Sequence, residues 1–275
     1  MVGRGLLIVL AVGLATGCSA NVSEPTSATR KPDSTPSTSQ PSSSPTSAGG
    51  PDSSVNVDWG DGLNPPGMSA GVPNPKGWYQ SAFGTRTTDK TLYLTFDDGP
   101  WPPYTQEILA LLKKYNDQAT FFVVGTQTSQ YPELLKAEIA GGNAIGDHTL
   151  NHPRLTDLSH SEVKHQLTAV QKDVGSDLGA CMRPPYGLIS DKVADVAGEL
   201  GMTPILWTGH ATDWDQPPVE QMVTDLKKAT EPGAVILLHD GGGSREHTTA
   251  ALKSMLPWWK GQGYSLKPVP ACIAK

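Results

Sequence analysis

The chain has 275 residues, 17% of them charged, and a formal net charge of −6. This length allows one domain with appendages. The acidic balance and the lack of any Lys/Arg-dense block argue against nucleic acid as a partner.

The first residues predict an export signal that is not part of the fold. Arg4 precedes the apolar run "GLLIVLAVGLA", which is shorter than the ~20 residues that a helix needs to cross a bilayer. The stretch "LATGCSA" then resembles a bacterial lipobox, with Ala15 where the pattern prefers Leu. We predict a signal peptide over residues 1–17 and lipidation of Cys18, which would anchor the exported protein on the outer face of the cell membrane. An ordinary secretory signal is the alternative.

Residues 18–56 are dominated by Ser, Thr and Pro and contain few apolar side chains. Such a segment cannot bury enough apolar surface to offset the loss of chain entropy on folding, so we predict a disordered linker. Residues 57–88 are interpreted as an N-terminal extension, in which Trp59 and Trp78 pack on the following domain or contact sugar. The folded domain is predicted over residues 89–270.

Beyond the linker, short apolar runs alternate with segments of helical periodicity. Strands are predicted at 91–96, 119–124, 143–146, 181–184, 204–207, 234–238 and 264–269. Helices are predicted at 103–115, 132–140, from a capping box of Ser159 and Glu162 to about Leu178, and at 191–200, 218–229 and 245–260. The alternation predicts a parallel sheet covered by helices. Because the segment has about 200 residues and no Gly-rich dinucleotide fingerprint, we predict an α/β fold of the incomplete or distorted (β/α) barrel type.

Polar side chains suited to chemistry follow the predicted strands. They are Asp97 and Asp98, His148 and His152, Arg183, Asp213, and His239 with Asp240. In parallel α/β folds the carboxyl ends of the strands open onto one face, where sites assemble. Each motif alone has a plainer interpretation, such as a turn, a surface charge or a loop with a packed indole. Their recurrence along one rim favours a functional site.

The residue types at this rim suit a catalytic metal. His148 and His152 have i, i+4 spacing, which brings two imidazoles to one side of a helical turn. Two His and one carboxylate suit a catalytic zinc, since three protein ligands leave a position for water or substrate. Three other histidines lack this setting and are interpreted as surface or helix residues: His160, His165 and His247.

Other chemistries are less well supported by the sequence. A Ser-His-Asp hydrolase is disfavoured because no Gly-x-Ser-x-Gly motif occurs. The cysteines have no metal-type spacing. In an oxidising compartment Cys181 and Cys272 are expected to form a disulfide, and two buried thiols are the alternative.

Five stretches resemble, in order, the motifs of the polysaccharide deacetylases, also called carbohydrate esterase family four or the NodB homology domain. They are "TFDDGP" (95–100), "HTLNH" (148–152), "RPPYG" (183–187), "DW" (213–214) and "LLHD" (237–240), and "ATFFVVG" (119–125) adds to them. The resemblance covers roughly residues 89–270. It implies a distorted (β/α) barrel that removes acetyl groups from sugars, a hydrolase of linear amides. It also implies a divalent metal, zinc first, with Co²⁺ or another divalent ion as alternatives.

The resemblance further implies a role for each of ten residues. These are the metal ligands Asp98, His148 and His152; the general base Asp97, oriented by Arg183; the general acid His239, supported by Asp213; the acetyl-methyl pocket of Trp214 and Leu237; and the backbone N–H of Tyr186 as an oxyanion donor. Two positions depart from the family pattern. His210 stands where many relatives carry an Asp, and we expect it to alter the charge near Asp213. Met182 stands where an aromatic residue is common.

The expected substrate is an acetylated polysaccharide outside the membrane. Peptidoglycan N-acetylglucosamine is the first choice because a tethered enzyme would meet it first, followed by chitooligosaccharides and O-acetylated xylan. A catalytically idle metal- or glycan-binding lipoprotein is a rival, which the Asp97/His239 pair disfavours. A glycosidase needs carboxylates on opposite sides of a bond, which the adjacent Asp97 and Asp98 can hardly provide. We expect a monomer.

Overall fold

The computed structural model describes residues 89–275; the predicted signal peptide, Cys18, the linker and the 57–88 extension lie outside the described residues. The strands are β1 Thr91–Asp97, β2 Thr120–Val123, β3 Ala144–Asp147, β4 Leu178–Met182, β5 Thr203–Pro204, β6 Gly209–His210, β7 Val235–His239 and β8 Ser265–Leu266. The α-helices are α1 Tyr104–Tyr115, α2 Gly125–Gln130, α3 Pro132–Ala140, α4 His160–Ala169, α5 Gln171–Val174, α6 Asp191–Glu199, α7 Val219–Lys228 and α8 Glu246–Gly261. None of these helices is long and apolar enough to cross a membrane.

The strands form one parallel sheet that curls into an open barrel. Their spatial order is β5-β4-β3-β2-β1-β7-β6, and β8 pairs with β1 beside this path. The strands β5 and β6 are consecutive in the chain but lie at opposite ends of the order, joined by residues 205–208. The predicted incomplete or distorted (β/α) barrel is therefore confirmed, and the seam between β5 and β6 is where the barrel is incomplete.

The alternation of side chains along the strands separates the barrel interior from the helix-covered exterior. On β1, Leu94 and Phe96 pack into the core beneath the helices. Tyr93 belongs instead to an interior cluster, which also includes Phe122, Cys181, Trp207, Leu237 and Cys272. Asp97 lies on the same face of β1 as Tyr93, and His239, the last residue of β7, is its register partner. The strand period thus directs both polar side chains to the interior at the same end of the barrel.

Several elements differ from the predicted ones, among them β6, which the sequence does not predict. The helix predicted to run to Leu178 is divided into α4, which ends at Ala169, and α5, which ends at Val174; Gly175, with a φ of +65°, ends α5, and a 3₁₀ turn at Gly175–Asp177 precedes β4. The strand predicted at 204–207 is limited to Thr203–Pro204 because the next backbone carbonyls bind a side chain, as described below. The sequence does not predict α2, whose short polar segment has no apolar periodicity. The capping box at Ser159 is confirmed.

A disulfide joins Cys181 of β4 to Cys272 in the 3₁₀ segment Pro270–Cys272. Both cysteines are fully buried in the interior cluster. The bond closes a loop with a sequence separation of 91 residues. A disulfide that closes a loop of this size stabilises the folded state by ~4–5 kcal/mol, because it lowers the entropy of the unfolded chain. The predicted disulfide is therefore confirmed, and the alternative of two buried thiols is wrong.

Candidate active site

The carboxyl ends of the strands open into a cavity of about 340 Å³. Its lining residues are Asp97, Asp98, His148, His152, Tyr186, Gly187, Trp207, Trp214, Leu237 and His239. Two further predicted residues, Arg183 and Asp213, lie behind this lining in contact with Asp97 and His239. A groove of about 690 Å³ between α1 and α3 is larger but contains none of the predicted site residues. Chemistry, and not size, therefore identifies the site.

The adjacent carboxylates Asp97 and Asp98 reach the cavity by different routes. Asp97 ends β1 on the interior face. Strand alternation alone would direct Asp98 outward, but its φ of 73° turns the side chain back to the mouth. The loop after β7 makes room for it, because a Cβ at Gly242 would lie 2.4 Å from Asp98 Oδ2. A left-handed non-glycine residue costs of order 1 kcal/mol or more, and such strain is typical of functional sites.

Arg183 holds Asp97 from inside the barrel. Its guanidinium is fully buried, and Nη1 donates to Asp97 Oδ1 at 2.7 Å. Nε and Nη2 donate to the carbonyls of Ile205 (3.0 Å) and Leu206 (3.1 Å), at the seam where β5 and β6 do not pair. Asp97 Oδ2 faces the other way, 3.7 Å from His148 Nε2. One carboxylate oxygen of Asp97 is therefore fixed and the second is presented to the cavity.

Asp98, His148 and His152 form a group whose ligand atoms all lie within 4.8 Å of one another. Asp98 Oδ1 is 3.5 Å from His148 Nε2 and 3.3 Å from His152 Nε2. Donors bound to one tetrahedral ion at ~2.0–2.2 Å lie about 3.3–3.6 Å apart, so this group fits a divalent metal. His148 Nδ1 lies 2.7 Å from the carbonyl oxygen of Arg183. That hydrogen bond selects the tautomer in which Nε2 is free to bind a metal.

The charges of this group depend on one another. Burial alone would raise the pKa of Asp98, but the neighbouring His148, His239 and His152 hold it below its usual range. Burial alone would lower the pKa of His148, but the carboxylates of Asp97 and Asp98 raise it. The pKa of His152 is lowered by burial and by His148. Metal binding to His148 therefore competes with protonation of its ring, because a ligating imidazole is neutral.

The two metal-type histidines do not lie on a helical turn, so that sequence prediction is wrong. Residues 148–152 form a loop in which Thr149 (φ 71°) and His152 (φ 60°) have left-handed backbones. The Thr149 N–H donates to Asp147 Oδ1 at 2.7 Å, and Thr149 Oγ1 accepts from the His152 N–H at 3.0 Å. These bonds shape the loop so that the two imidazole centres lie 4.9 Å apart.

Gln166, on the neighbouring helix α4, binds the middle of this loop. Its Oε1 accepts from the N–H groups of Leu150 (3.1 Å) and Asn151 (3.3 Å). Its Nε2 donates to Asn151 Oδ1 at 2.8 Å. One side chain thus satisfies three polar groups between the two histidines. The sequence does not indicate this role, because only the packing of α4 brings Gln166 to the loop.

His239 is bound by a buried carboxylate on the opposite side of the cavity. Its Nδ1 lies 2.8 Å from Asp213 Oδ1, and Asp213 Oδ2 accepts from the His239 N–H (2.8 Å) and from Thr248 Oγ1 (2.9 Å). Burial disfavours a charged imidazole, but Asp213 outweighs it and raises the pKa of His239 to about 9. At neutral pH His239 is therefore protonated. The buried Arg245 supports this arrangement by donating to the carbonyls of Asp213 and Gly241.

Aromatic side chains form the apolar side of the cavity. Trp214 packs edge-on against His239, with ring centres 5.7 Å apart, and also against His210 at 5.2 Å. Burial lowers the pKa of His210, so this histidine is uncharged at neutral pH and adds no charge beside Asp213. Trp207 lines the cavity as well, although the sequence assigns it only to a strand.

The other positions that the sequence analysis singled out lie outside the cavity lining. Asp240, which follows His239, is fully buried and accepts from Thr105 Oγ1 at 2.5 Å. It lies under Gly99, where a Cβ would collide with its carboxylate, so it positions the turn after Asp98. Met182 is buried in a cluster with Leu155 and Val193. The three histidines interpreted as surface or helix residues are exposed on α4 and α8: His160, His165 and His247.

Known proteins share this sequence pattern. A family model described as polysaccharide deacetylase matches residues 84–205. The chain is 39% identical over 182 residues to a peptidoglycan-N-acetylglucosamine deacetylase of Bacillus cereus, covering 64% of this chain and 84% of that protein. It is 33% identical over 195 residues to a chitooligosaccharide deacetylase of Azorhizobium caulinodans, covering 66% of this chain and 93% of that protein. The chain belongs to the polysaccharide deacetylase family.

The fold of this deacetylase also matches solved structures. The peptidoglycan deacetylase PdaC from Bacillus subtilis superimposes with a TM-score of 0.61 at 34% identity, over 66% of this chain and 89% of that one. The protein is thus a hydrolase with a family fold. The family is metal-dependent, which agrees with the ligand group of Asp98, His148 and His152.

The hydrogen bonds of Gln166 predict an effect on metal binding by the deacetylase. Gln166→Ala removes three hydrogen bonds to the loop between His148 and His152. Metal binding must then order this loop, which lowers the net free energy of metal binding. We expect the affinity for Zn²⁺ or Co²⁺ to fall about tenfold. This is the lower end of the effects seen when residues that orient metal ligands are replaced. Competition with a chromogenic chelator measures it.

Gln221→Ala is the matched control, because the Gln221 amide donates to Asp225 Oδ2 at 2.9 Å on the exposed side of α7. Its metal affinity should equal that of the wild type. An unchanged affinity in Gln166→Ala, with a wild-type circular dichroism spectrum, would contradict the positioning role.

Proposed function

We propose that the protein is an exported, metal-dependent hydrolase that removes N-acetyl groups from N-acetylglucosamine units of peptidoglycan. The observation that carries the proposal is one cavity that the ligand group, Asp97 and His239 line together. These are the parts that amide hydrolysis requires: a metal, a base and an acid.

The ligand group Asp98, His148 and His152 is assigned to Zn²⁺, with Co²⁺ or another divalent ion as alternatives. A bound divalent ion polarises the amide carbonyl and lowers the pKa of a bound water. Two imidazoles and one carboxylate are a common ligand set of catalytic zinc. The chain itself contributes the spacing of the donors and the orientation of His148 through the carbonyl of Arg183.

Asp97 is assigned as the general base. Arg183 binds its Oδ1 at 2.7 Å and prevents the carboxylate from rotating away. Oδ2 remains available beside the ligand group and takes a proton from the attacking water. Arg183 therefore acts on the reaction through Asp97 and does not touch the substrate.

His239 is assigned as the general acid. Asp213 occupies its Nδ1 and keeps the imidazole charged, so Nε2 can deliver a proton to the leaving amine. The backbone N–H of Tyr186 is assigned as a donor to the oxyanion. Trp214 and Leu237, which line the cavity, provide an apolar surface for the acetyl methyl group.

The names of the relatives support two substrates. The B. cereus relative is a peptidoglycan-type deacetylase and has the higher identity of the two compared, 39%, which favours peptidoglycan. The A. caulinodans relative is a chitooligosaccharide deacetylase, and its match over 93% of its own length makes this the second candidate.

The N-terminal sequence supports export with a lipid anchor on Cys18. Cys18→Ser should move the protein from the membrane fraction to the soluble fraction, since the acyl chains would be lost. Immunoblots of the two fractions measure the change, and Ser19→Ala serves as the control. A Cys18→Ser protein that stays with the membrane would show that the anchor is wrong.

Acetate release tests the function. The wild type should release acetate from peptidoglycan fragments, a chelator should abolish the release and Zn²⁺ should restore it. Asp97→Asn should lower kcat ~10²–10⁴-fold and still bind the metal, whereas Asp98→Asn should lose the metal. Loss of metal in Asp97→Asn would reverse the roles of the two Asp. No release from peptidoglycan, chitooligosaccharide or acetylxylan would favour a binding protein.

The pH profile tests the acid. The charged form of His239 is the active one, so the rate should fall as pH rises through the His239 pKa of about 9. Asp213→Asn removes the carboxylate that raises this pKa, so the alkaline limb of kcat should move to lower pH, toward the ordinary value of about 6.5. Asp215→Asn, on an exposed neighbour, should leave the limb in place. An unmoved limb in Asp213→Asn would exclude His239 as the titrating acid.

A further inference from the structure

We propose that Arg154 binds a carboxylate of the substrate next to the reacting sugar, and that it makes this enzyme prefer an anionic glycan to a neutral one. The inference rests on the proposed deacetylase function and deepens it, because it names the property that separates its two candidate substrates.

Arg154 lies at the mouth of the cavity. It is two residues beyond His152 and directly precedes the 3₁₀ turn Leu155–Asp157. Its guanidinium carbon is 5.4 Å from the ring centre of Tyr186, and that ring packs edge-on against His152 at 4.7 Å. Tyr186 lines the cavity and is 51% exposed. The guanidinium of Arg154 therefore contacts Tyr186, which in turn contacts the ligand residue His152, and it lies on the solvent side.

The charge of Arg154 is available to a ligand. Of the three arginines among residues 89–275, Arg183 and Arg245 are buried and bind internal acceptors. Arg154 is exposed, and none of the ion pairs in this part of the chain includes it. Stacking on the Tyr186 ring restrains the side chain. The N–H groups at the edge of the guanidinium remain free for a planar acceptor.

The surroundings make this cation distinctive. Among residues 89–275, the cavity lining contains no lysine or arginine, and it includes the aromatic rings of Tyr186 and Trp214. The negative charges of Asp97 and Asp98 lie deeper, where Arg183 and a bound metal would balance them. Through its contact with Tyr186, Arg154 thus places an exposed positive group beside a lining that has none of its own among residues 89–275.

The chemistry of an exposed guanidinium predicts its ligand. Arginine binds a carboxylate through two parallel N–H bonds, which the hydroxyl and acetamido groups of a neutral glycan cannot reproduce. A chitin-type oligomer carries no charge. In peptidoglycan each N-acetylglucosamine is flanked by a sugar bearing a lactyl ether and a peptide with carboxylates. A carboxylate beside the reacting sugar is thus present in one candidate substrate and absent from the other.

The test compares two substrates of equal sugar number: a peptidoglycan tetrasaccharide with its peptides, and chitotetraose. Arg154→Gln should raise KM for the peptidoglycan fragment about 2–5-fold with little change in kcat, since an exposed ion pair contributes modestly. The ratio of kcat/KM for the acidic to the neutral substrate should fall by the same factor. Arg154→Lys should retain part of the preference, because it keeps the charge and loses the planar fork.

Two further arms isolate the charge. Salt at ~0.5 M should reduce the wild-type preference and affect Arg154→Gln less, because exposed ion pairs are screened. Peptidoglycan fragments with amidated carboxylates should be deacetylated equally well by wild type and Arg154→Gln. Lys136→Gln, an exposed cation on α3 that pairs with Glu133, is the control and should not change the ratio.

The outcomes separate this inference from the function on which it rests. A wild-type enzyme that prefers chitotetraose, or an Arg154→Gln variant that loses kcat/KM equally on both substrates, overturns the role of Arg154 and leaves the deacetylase function standing. Absence of acetate release from both substrates by the wild type overturns both. Metal affinity measured on Arg154→Gln shows whether the neighbouring loop is intact, and a loss of affinity also overturns the proposed role.

Discussion

The site depends on one buried guanidinium. Arg183 closes the seam of an open barrel by bonding the carbonyls of Ile205 and Leu206, and the same group fixes one oxygen of Asp97. A buried charge is tolerated only when it is paired and hydrogen-bonded, and here the backbone of the seam supplies acceptors that a β5–β6 pairing would otherwise use. The incomplete barrel and the orientation of the base therefore have the same cause. The backbone carbonyl of Arg183 in turn orients His148.

Strand alternation and left-handed backbones together build the mouth of the cavity. Alternation directs Asp97 and His239 inward, and it would direct the next residue of each strand outward. The positive φ at Asp98 reverses this rule locally, and positive φ values at His152 and Tyr186 shape the loops that follow β3 and β4. Such conformations persist only when surrounding contacts over-determine them, and the bonds of the 148–152 loop are contacts of that kind.

Different electrostatic environments give different roles to side chains of the same type, namely two aspartates and two histidines. Asp98 and Asp97 are adjacent, yet one faces the ligand group and the other an arginine. His148 has its Nδ1 on a backbone carbonyl, which leaves Nε2 as a metal donor, whereas His239 has its Nδ1 on a buried carboxylate, which keeps it charged. The partner of each ring decides whether an imidazole binds a metal or donates a proton.

Much of the fold and most of the site residues could be predicted from the sequence, because strand and helix periodicity and the five motifs are local patterns. These patterns determined the parallel barrel, the rim on which the polar residues lie, and the residue types of the site. Only the tertiary structure decided that the loop of His148 and His152 is not helical, that Gln166 and Arg245 hold the site, and that Arg154 packs over the ring of Tyr186. Those features arise from contacts between residues far apart in the chain or from backbone strain, and neither leaves a periodic signal in the sequence.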